Sequence, residues 1–148
     1  MEYAFQVCFL YGKVFLSENG SGCALVLLPD KKKNNLQSML LDLKLITRCV
    51  GIRNIKKVLY REKKIRTLQA EDKEKIYYLW FIGVSTAQQN KGVGSSLLRD
   101  IIEDGKRMRR TIFLETSTSR NVPWYEKNGF VQYADLDFGY KLYLLKNQ

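Results

Sequence analysis

The sequence predicts one mixed α/β (α+β) sheet domain with a parallel strand pair at its centre. Three observations lead there. Tyr77 to Val84 form a continuous apolar run, the pattern of a fully buried strand. A glycine loop, Gln89-Asn90-Lys91-Gly92-Val93-Gly94, follows it. Val93, Leu97, Leu98, Ile101 and Ile102 then recur at helical spacing, and Ile112 to Thr116 read as a further strand. Strand, helix and strand make one crossover, which is right-handed when the strands are parallel. With 148 residues, 45% hydrophobic and 27% charged, the chain suits a single globular domain over residues 1–148.

The other elements follow in order. Periodicity leaves residues 2–11 open between a short helix and a strand. Val14–Leu16 and Cys23–Leu28 read as two strands, and Asn19-Gly20 between them is a hairpin signal, because a tight turn needs positive φ angles. Pro29-Asp30 ends the second strand. Asn35 can cap a helix with Leu36, Leu40, Leu43, Ile46 and Val50 on one face. After Gly51 a second helix would turn Ile52, Ile55, Leu59 and Ile65 or Leu68 inward. Its outer face would carry Arg53, Lys56, Lys57, Arg61, Lys63, Lys64 and Arg66. Glu71 to Glu74 make a charged loop. The helix after the glycine loop is expected from Val93 to Asp104, stopped by Gly105, with a basic turn from Lys106 to Arg110. A short helix spans Val122 to Lys127, with Asn121 as a cap, Pro123 in its first turn and Gly129 at its end. Phe130–Tyr133 and Tyr140–Leu145 read as two final antiparallel strands.

Composition removes several chemistries. The chain has no histidine, which excludes Ser-His-Asp and Cys-His nucleophiles and the common histidine zinc sites. No metal site is expected. The three cysteines, Cys8, Cys23 and Cys49, show no CxxC spacing and point to a reduced, cytoplasmic setting. No apolar run approaches the roughly 20 residues that span a bilayer. The formal net charge of +10 suits an anionic partner, whether a polyphosphate ligand, a nucleic acid or an acidic surface.

A glycine loop between a strand and a helix N-terminus is a phosphate cradle. Glycines let backbone approach an anion, and the first-turn N–H groups and the helix dipole favour it. The Rossmann fingerprint fails, since Gly92-Val93-Gly94 continues as Ser95-Ser96-Leu97 without a third glycine. A Walker A loop fails for want of Gly-Lys-Ser/Thr. Q-x-x-G-x-G instead resembles the acyl-CoA pyrophosphate loop of the GNAT superfamily of N-acetyltransferases. Phe81-Ile82-Gly83-Val84 resembles that family's central strand, and Leu114-Glu115-Thr116-Ser117 resembles the next. Asn121-Val122-Pro123-Trp124-Tyr125-Glu126-Lys127-Asn128-Gly129-Phe130 is similar to its N-x-x-x-Y-E-K-x-G-F segment. Together these cover residues 77–130.

The resemblance implies a GNAT-like, mostly antiparallel sheet with a central splayed parallel pair and flanking helices. It implies acetyl-CoA as co-substrate, bound at its pyrophosphate by Gln89, Asn90, Lys91, Gly92, Val93, Gly94 and Ser95. Phe81, Ile82, Gly83 and Val84 would hold the pantetheine, with Ile82 and Val84 using their main chain. Asn121, Trp124 and Lys127 would flank the same arm, and Tyr125 would stand at the thioester sulfur. A phenol can donate to a departing thiolate, and Glu115 is the nearest candidate base for the attacking amine. Blander alternatives stand beside these roles: a ligand-free tight turn for Gly92 and Gly94, a packed aromatic for Tyr125, an N-cap for Asn121 and a solvated strand-end carboxylate for Glu115.

Family domains usually begin with a strand and two helices ahead of the first hairpin. Here the hairpin starts almost at once, so an N-terminally shortened domain is expected, with an exposed edge that would favour a homodimer. The leading expectation is transfer of an acetyl group from acetyl-CoA to the primary amine of a small molecule or peptide. A non-catalytic CoA-binding module is the second reading, and a basic nucleic-acid-binding protein a distant third, since RNP-type aromatics and zinc knuckles are lacking.

Overall fold

Local turn chemistry starts the sheet. The computed structural model describes residues 2–32, 55–69 and 75–147. β1 (Gly12–Leu16) and β2 (Gly22–Leu27) form an antiparallel hairpin. Gly20 takes φ +66°, and Asn19 Oδ1 accepts the Ser21 N–H at 3.1 Å, the short side-chain bond that makes asparagine a turn former. β2 then pairs antiparallel with β3 (Ile76–Val84).

The register of that pairing carries one irregularity. Leu25 faces Phe81 while Val26 faces Leu79, so Trp80 is the extra residue of a bulge. A bulge bends its strand and increases the local twist. β3 pairs in parallel with β4 (Thr111–Thr116) only at Ile76, Tyr77 and Tyr78, opposite Thr111, Ile112 and Phe113. Past Tyr78, where the bulge begins, the two strands part and form a V. β4 pairs antiparallel with β6 (Lys141–Asn147), which pairs antiparallel with β5 (Val131–Asp137). The sheet order is β1-β2-β3-β4-β6-β5, which is the mixed, mostly antiparallel arrangement expected.

Strand alternation gives each face its own core. On one face, Leu98 and Ile101 of α3 (Val93–Arg107) pack on Ala24, Val26, Tyr77, Leu79, Ile112 and Leu114. Each such fully buried aliphatic side chain contributes about 1.5–3 kcal/mol. α4 (Val122–Lys127) adds Tyr125 to the same cluster, beside Phe130. On the other face, α2 (Ile55–Leu68) sets Ile65 against Leu142 and Leu144. Leu114 pairs with Leu145 and Glu115 with Leu144, so Glu115 faces the α2 side.

Several expectations need correction. Residues 2–11 form a helix, α1 (Glu2–Tyr11), which buries Val7, Cys8 and Tyr11 while Phe5 and Phe9 stay exposed. α3 runs through Gly105 to Arg107 instead of stopping at it. Gly105 is buried there, packed so closely on β4 that a Cβ would lie 2.9 Å from Ile112 Cγ1, and the left-handed residue that turns the chain is Arg109, at φ +55°. On α2 only Ile65 is buried; Leu59 and Leu68 are 63% and 45% exposed. Arg61, expected outside, turns toward the sheet. The strand from Tyr77 is only partly buried beyond Leu79, since the V leaves one side of it open. The helix expected from Asn35 and the charged loop at 71–74 lie outside the described residues. Among the described residues, no helix is long and apolar enough to cross a membrane.

Candidate active site

The end of β3 leads into the glycine loop through a single 3-10 turn, Thr86–Gln88. Gln89 Nε2 donates back to the Val84 carbonyl at 3.3 Å. Asn90 and Gly92 both take left-handed conformations, at φ +62° and +83°. A Cβ at Gly92 would meet nothing within 4 Å, so glycine is needed there for its backbone angle, not for room. At Gly94 a Cβ would come within 3.5 Å of both Trp124 and Val84, which is ordinary contact.

Gly92 is also the residue ahead of α3. The first helical bond runs from the Ser96 N–H to the Gly92 carbonyl at 2.9 Å. The N–H groups of Val93, Gly94 and Ser95 precede it, and no side chain caps the helix. Unpaired N–H groups and the positive dipole end meet at this point, next to the exposed Lys91. This fits an anionic group of the pyrophosphate kind.

The V supplies a second open surface. Gly83 pairs with Cys23 and Val84 with Gly22, so one edge of β3 is bonded to β2. Its other edge, from Leu79 to Val84, has no partner in β4. Ile82 packs on the α3-side core, while a Cβ at Gly83 would meet the Phe81 ring at 2.9 Å. An extended amide chain could add to this edge as a strand would.

α4 closes the site on the α3 side. The Trp124 indole N–H donates to Ser95 Oγ at 3.1 Å, and the ring lies beside Gly94. Tyr125 is 7% exposed and packs edge-on against Phe130 at 5.7 Å. Burial pushes its phenol up to about 12, so it holds its proton through the neutral range. The Asn121 side chain makes no cap hydrogen bond, because the residue sits in a 3-10 turn, Ser119–Asn121, that runs directly into α4. Lys127 is exposed at the far end of α4.

Glu115 lies across the sheet from Tyr125. Its Oε2 accepts the Tyr78 hydroxyl at 2.7 Å and Arg61 Nη2 at 3.2 Å. Burial raises its carboxyl above the usual range, while the bonds from Tyr78 and Arg61 oppose that shift. The sequence places Arg61 on an outer helix face and Tyr78 among the core aromatics, and assigns neither a role beside Glu115. Their signal is a pairing across 37 and 54 residues, which no local pattern carries. Burial also pushes the Cys8 thiol up to about 12, which makes it a poor nucleophile. Among the described residues, no group of three or more potential ligands could hold a metal ion.

The profile of the acetyltransferase (GNAT) domain matches residues 57–132, just over half of the chain. The chain belongs to the GNAT acetyltransferase family. Among solved structures, nourseothricin acetyltransferase matches 90% of this chain and 62% of its own at 12% identity, with a TM-score of 0.50, a likeness of fold. A protein of Desulfovibrio desulfuricans assigned to the GNAT family is 26% identical over 51% of this chain and 54% of its own, with a TM-score of 0.46. Arabidopsis thaliana Naa50, in complex with the bisubstrate analogue CoA-Ac-MVNAL, is 20% identical over 49% of this chain and 54% of its own, at a TM-score of 0.45. The matched regions thus span about half the length of the last two. The GNAT profile begins within α2 and ends at the start of β5, so it takes in the V, the loop, α3 and α4.

Proposed function

We propose that this GNAT chain is an acetyl-CoA-dependent N-acetyltransferase that transfers an acetyl group to a primary amine by direct attack in a ternary complex. One observation carries the reading. A single strand, β3, parts from β4 past Tyr78 and leads, through one 3-10 turn and the glycine loop, to a helix N-terminus with no side-chain cap behind a left-handed glycine. An open strand edge ending at an anion site suits a ligand with an amide-bearing arm attached to a pyrophosphate.

In this reading the main chain from Gln89 through Asn90, Lys91, Gly92, Val93 and Gly94 to Ser95 binds the pyrophosphate. Phe81, Ile82, Gly83 and Val84 line the pantetheine arm. Asn121, from the turn ahead of α4, and Trp124 and Lys127 of α4 flank it. Bound acetyl-CoA supplies the acyl carbon and, as the C–S bond breaks, a thiolate. A thiol titrates near 8–9 in ordinary surroundings, at roughly that value, so the Tyr125 phenol, raised to about 12, stabilises the leaving sulfur chiefly as a hydrogen-bond donor. Glu115, on the other side of the V, accepts the proton lost by the amine. Base and donor thus flank the reacting centre from opposite faces. Most of the acceleration comes from holding two substrates together.

A thermal-shift titration with acetyl-CoA, CoA and ATP at fixed salt tests the reading, since a ligand that binds only the native state raises the melting temperature. Stabilisation by acetyl-CoA and CoA well above that by ATP is expected. Equal shifts for all three, or none, would overturn it.

A further inference from the structure

Glu115 stands where β3 and β4 part. Tyr78, the last residue of β3 paired to β4, donates its hydroxyl to Glu115 Oε2 at 2.7 Å. Arg61 arrives from α2 and donates Nη2 to the same oxygen at 3.2 Å. The Glu115 side chain is only 4% exposed, and its other oxygen, Oε1, is buried without a hydrogen-bond partner among the described residues. Such a carboxylate is costly to ionise unless a cation reaches it. Further titratable groups surround this pair among the described residues, Tyr140 beside Arg61 being one. Glu62 is next to Arg61 and accepts its Nη1 at 3.0 Å. Tyr133 approaches from β5, and Lys146 of β6 sits over the Tyr133 ring at 5.9 Å. Arg61 is therefore the cation among the described residues that reaches Glu115 directly.

We propose that Arg61 is a positioning residue of the acetyl-transfer site: from α2 it holds the Glu115 carboxylate charged and oriented at the mouth of the V. Tyr78 fixes the same oxygen, which leaves the unpartnered Oε1 to take the amine proton, relayed by one water, as the nitrogen lone pair forms the C–N bond. The inference rests on Glu115 acting as the base. It also gives α2 a part in catalysis from outside the pyrophosphate loop and α4.

The test is an NMR titration of 13C-carboxyl-labelled glutamate in the wild-type, Arg61→Gln and Arg61→Lys proteins, with Glu115→Gln identifying the resonance. Loss of a neighbouring cation is expected to raise the Glu115 midpoint by about one pH unit or more in Arg61→Gln, and Arg61→Lys should restore most of it. The acid limb of the pH–rate profile should move equally, read on whichever of a lysine peptide, a free-N-terminus peptide and a polyamine the wild type acetylates. Acetyl-CoA affinity should stay unchanged. An unmoved midpoint in folded Arg61→Gln overturns the inference. If that variant does not fold, Arg61→Lys decides: an ammonium lacks the guanidinium fork and should leave a small residual upward displacement, and none overturns the inference. A loss of transfer in Glu115→Gln with an unmoved titration in Arg61→Gln overturns this inference alone. Full transfer by Glu115→Gln overturns the base reading and this inference with it.

Discussion

The indole N–H of Trp124 donates to Ser95 Oγ at 3.1 Å, which moors the helix carrying Tyr125 to the first turn of the helix that ends the glycine loop. The bond joins residues 29 apart. It sets the distance between the N-terminus of α3, the proposed anion site, and the phenol, two features that the sequence places on separate elements. Trp124→Phe keeps a ring against Gly94 but removes the donor. A single bond of this kind contributes about 0.5–1.5 kcal/mol, so unfolding by urea should show a loss of that order. The KM for acetyl-CoA should rise a few-fold. Unchanged stability together with unchanged KM would show that packing alone holds α4 in place.

Gly92 should respond to side-chain type through its backbone and not through crowding. At φ +83°, with open space where a Cβ would stand, any L-residue is strained by about 1–2 kcal/mol. Asparagine tolerates that region best, as the neighbouring Asn90 already does at φ +62°. Gly92→Asn should therefore keep most acetyl-CoA affinity, and Gly92→Val should lose at least about tenfold, the equivalent of 1.4 kcal/mol. Isothermal titration calorimetry checks the order; equal losses for the two would mean that room matters more than φ.

Tyr125→Phe should lower kcat by about 100-fold, the low end of the range for one positioned proton donor, while KM for acetyl-CoA stays within about twofold of wild type. Because burial holds the phenol near 12, Tyr125 should contribute no basic limb to the profile across the neutral range. A basic limb that disappears in Tyr125→Phe would contradict the donor role and point to a phenol that ionises in turnover.

Asp104 is a structural counterpart to the site. It is 4% exposed and takes both carboxylate oxygens to Lys13 Nζ, at 2.8 and 2.6 Å, with the Tyr77 hydroxyl at 2.7 Å. Arg107 adds a further bond. Desolvation works against its charge, but the hydrogen bonds from Lys13, Tyr77 and Arg107 prevail and hold its carboxyl below the usual value. A lowered carboxyl contributes stability above its unfolded value, about 3.9, and loses it as pH falls through the folded value. Asp104→Asn should cost about 1.5–3 kcal/mol near neutral pH. The gap to wild type should shrink in acid. A gap that stayed constant from neutral pH into strong acid would exclude the charge as its cause.

The local devices were legible and the long-range ones were not. Asn19-Gly20 announces its hairpin because the turn needs only its own φ angles. Val122 to Lys127 is found with the bounds expected, since Pro123 and Gly129 punctuate it within a few residues. Gly92 and Gly94 marked the loop because a glycine pair between two apolar runs has few other uses. Trp80 gave no sign of its bulge, which exists only in relation to Leu25 and Val26 of another strand. Arg61 reads like its basic neighbours on α2, and only Glu115, 54 residues away, distinguishes it. Residues 2–11 resisted assignment because apolar side chains lie on both sides of α1, with Val7 and Cys8 inside and Phe5 and Phe9 outside.

Gly105 offers the sharpest separation of local preference from packing. By propensity alone, Gly105→Ala inside α3 should gain about 1 kcal/mol. The new methyl, however, would stand 2.9 Å from Ile112 Cγ1 and 3.0 Å from Cδ1. Ile112 is 1% exposed within the core on the α3 face, so it has little room to move aside. Overpacking of this kind costs about 1–3 kcal/mol, which should outweigh the helical gain and leave the single variant less stable. Ile112→Val removes Cδ1, one of the two atoms nearest the new methyl, and on its own should cost about 0.5–1.5 kcal/mol. The double variant should then be more stable than the sum of the two single losses predicts, by roughly 0.5–1 kcal/mol or more of coupling. Chemical denaturation of all four proteins measures it. Strict additivity would show that α3 shifts as a whole to admit the methyl, and that Gly105 is not held by its contact with β4.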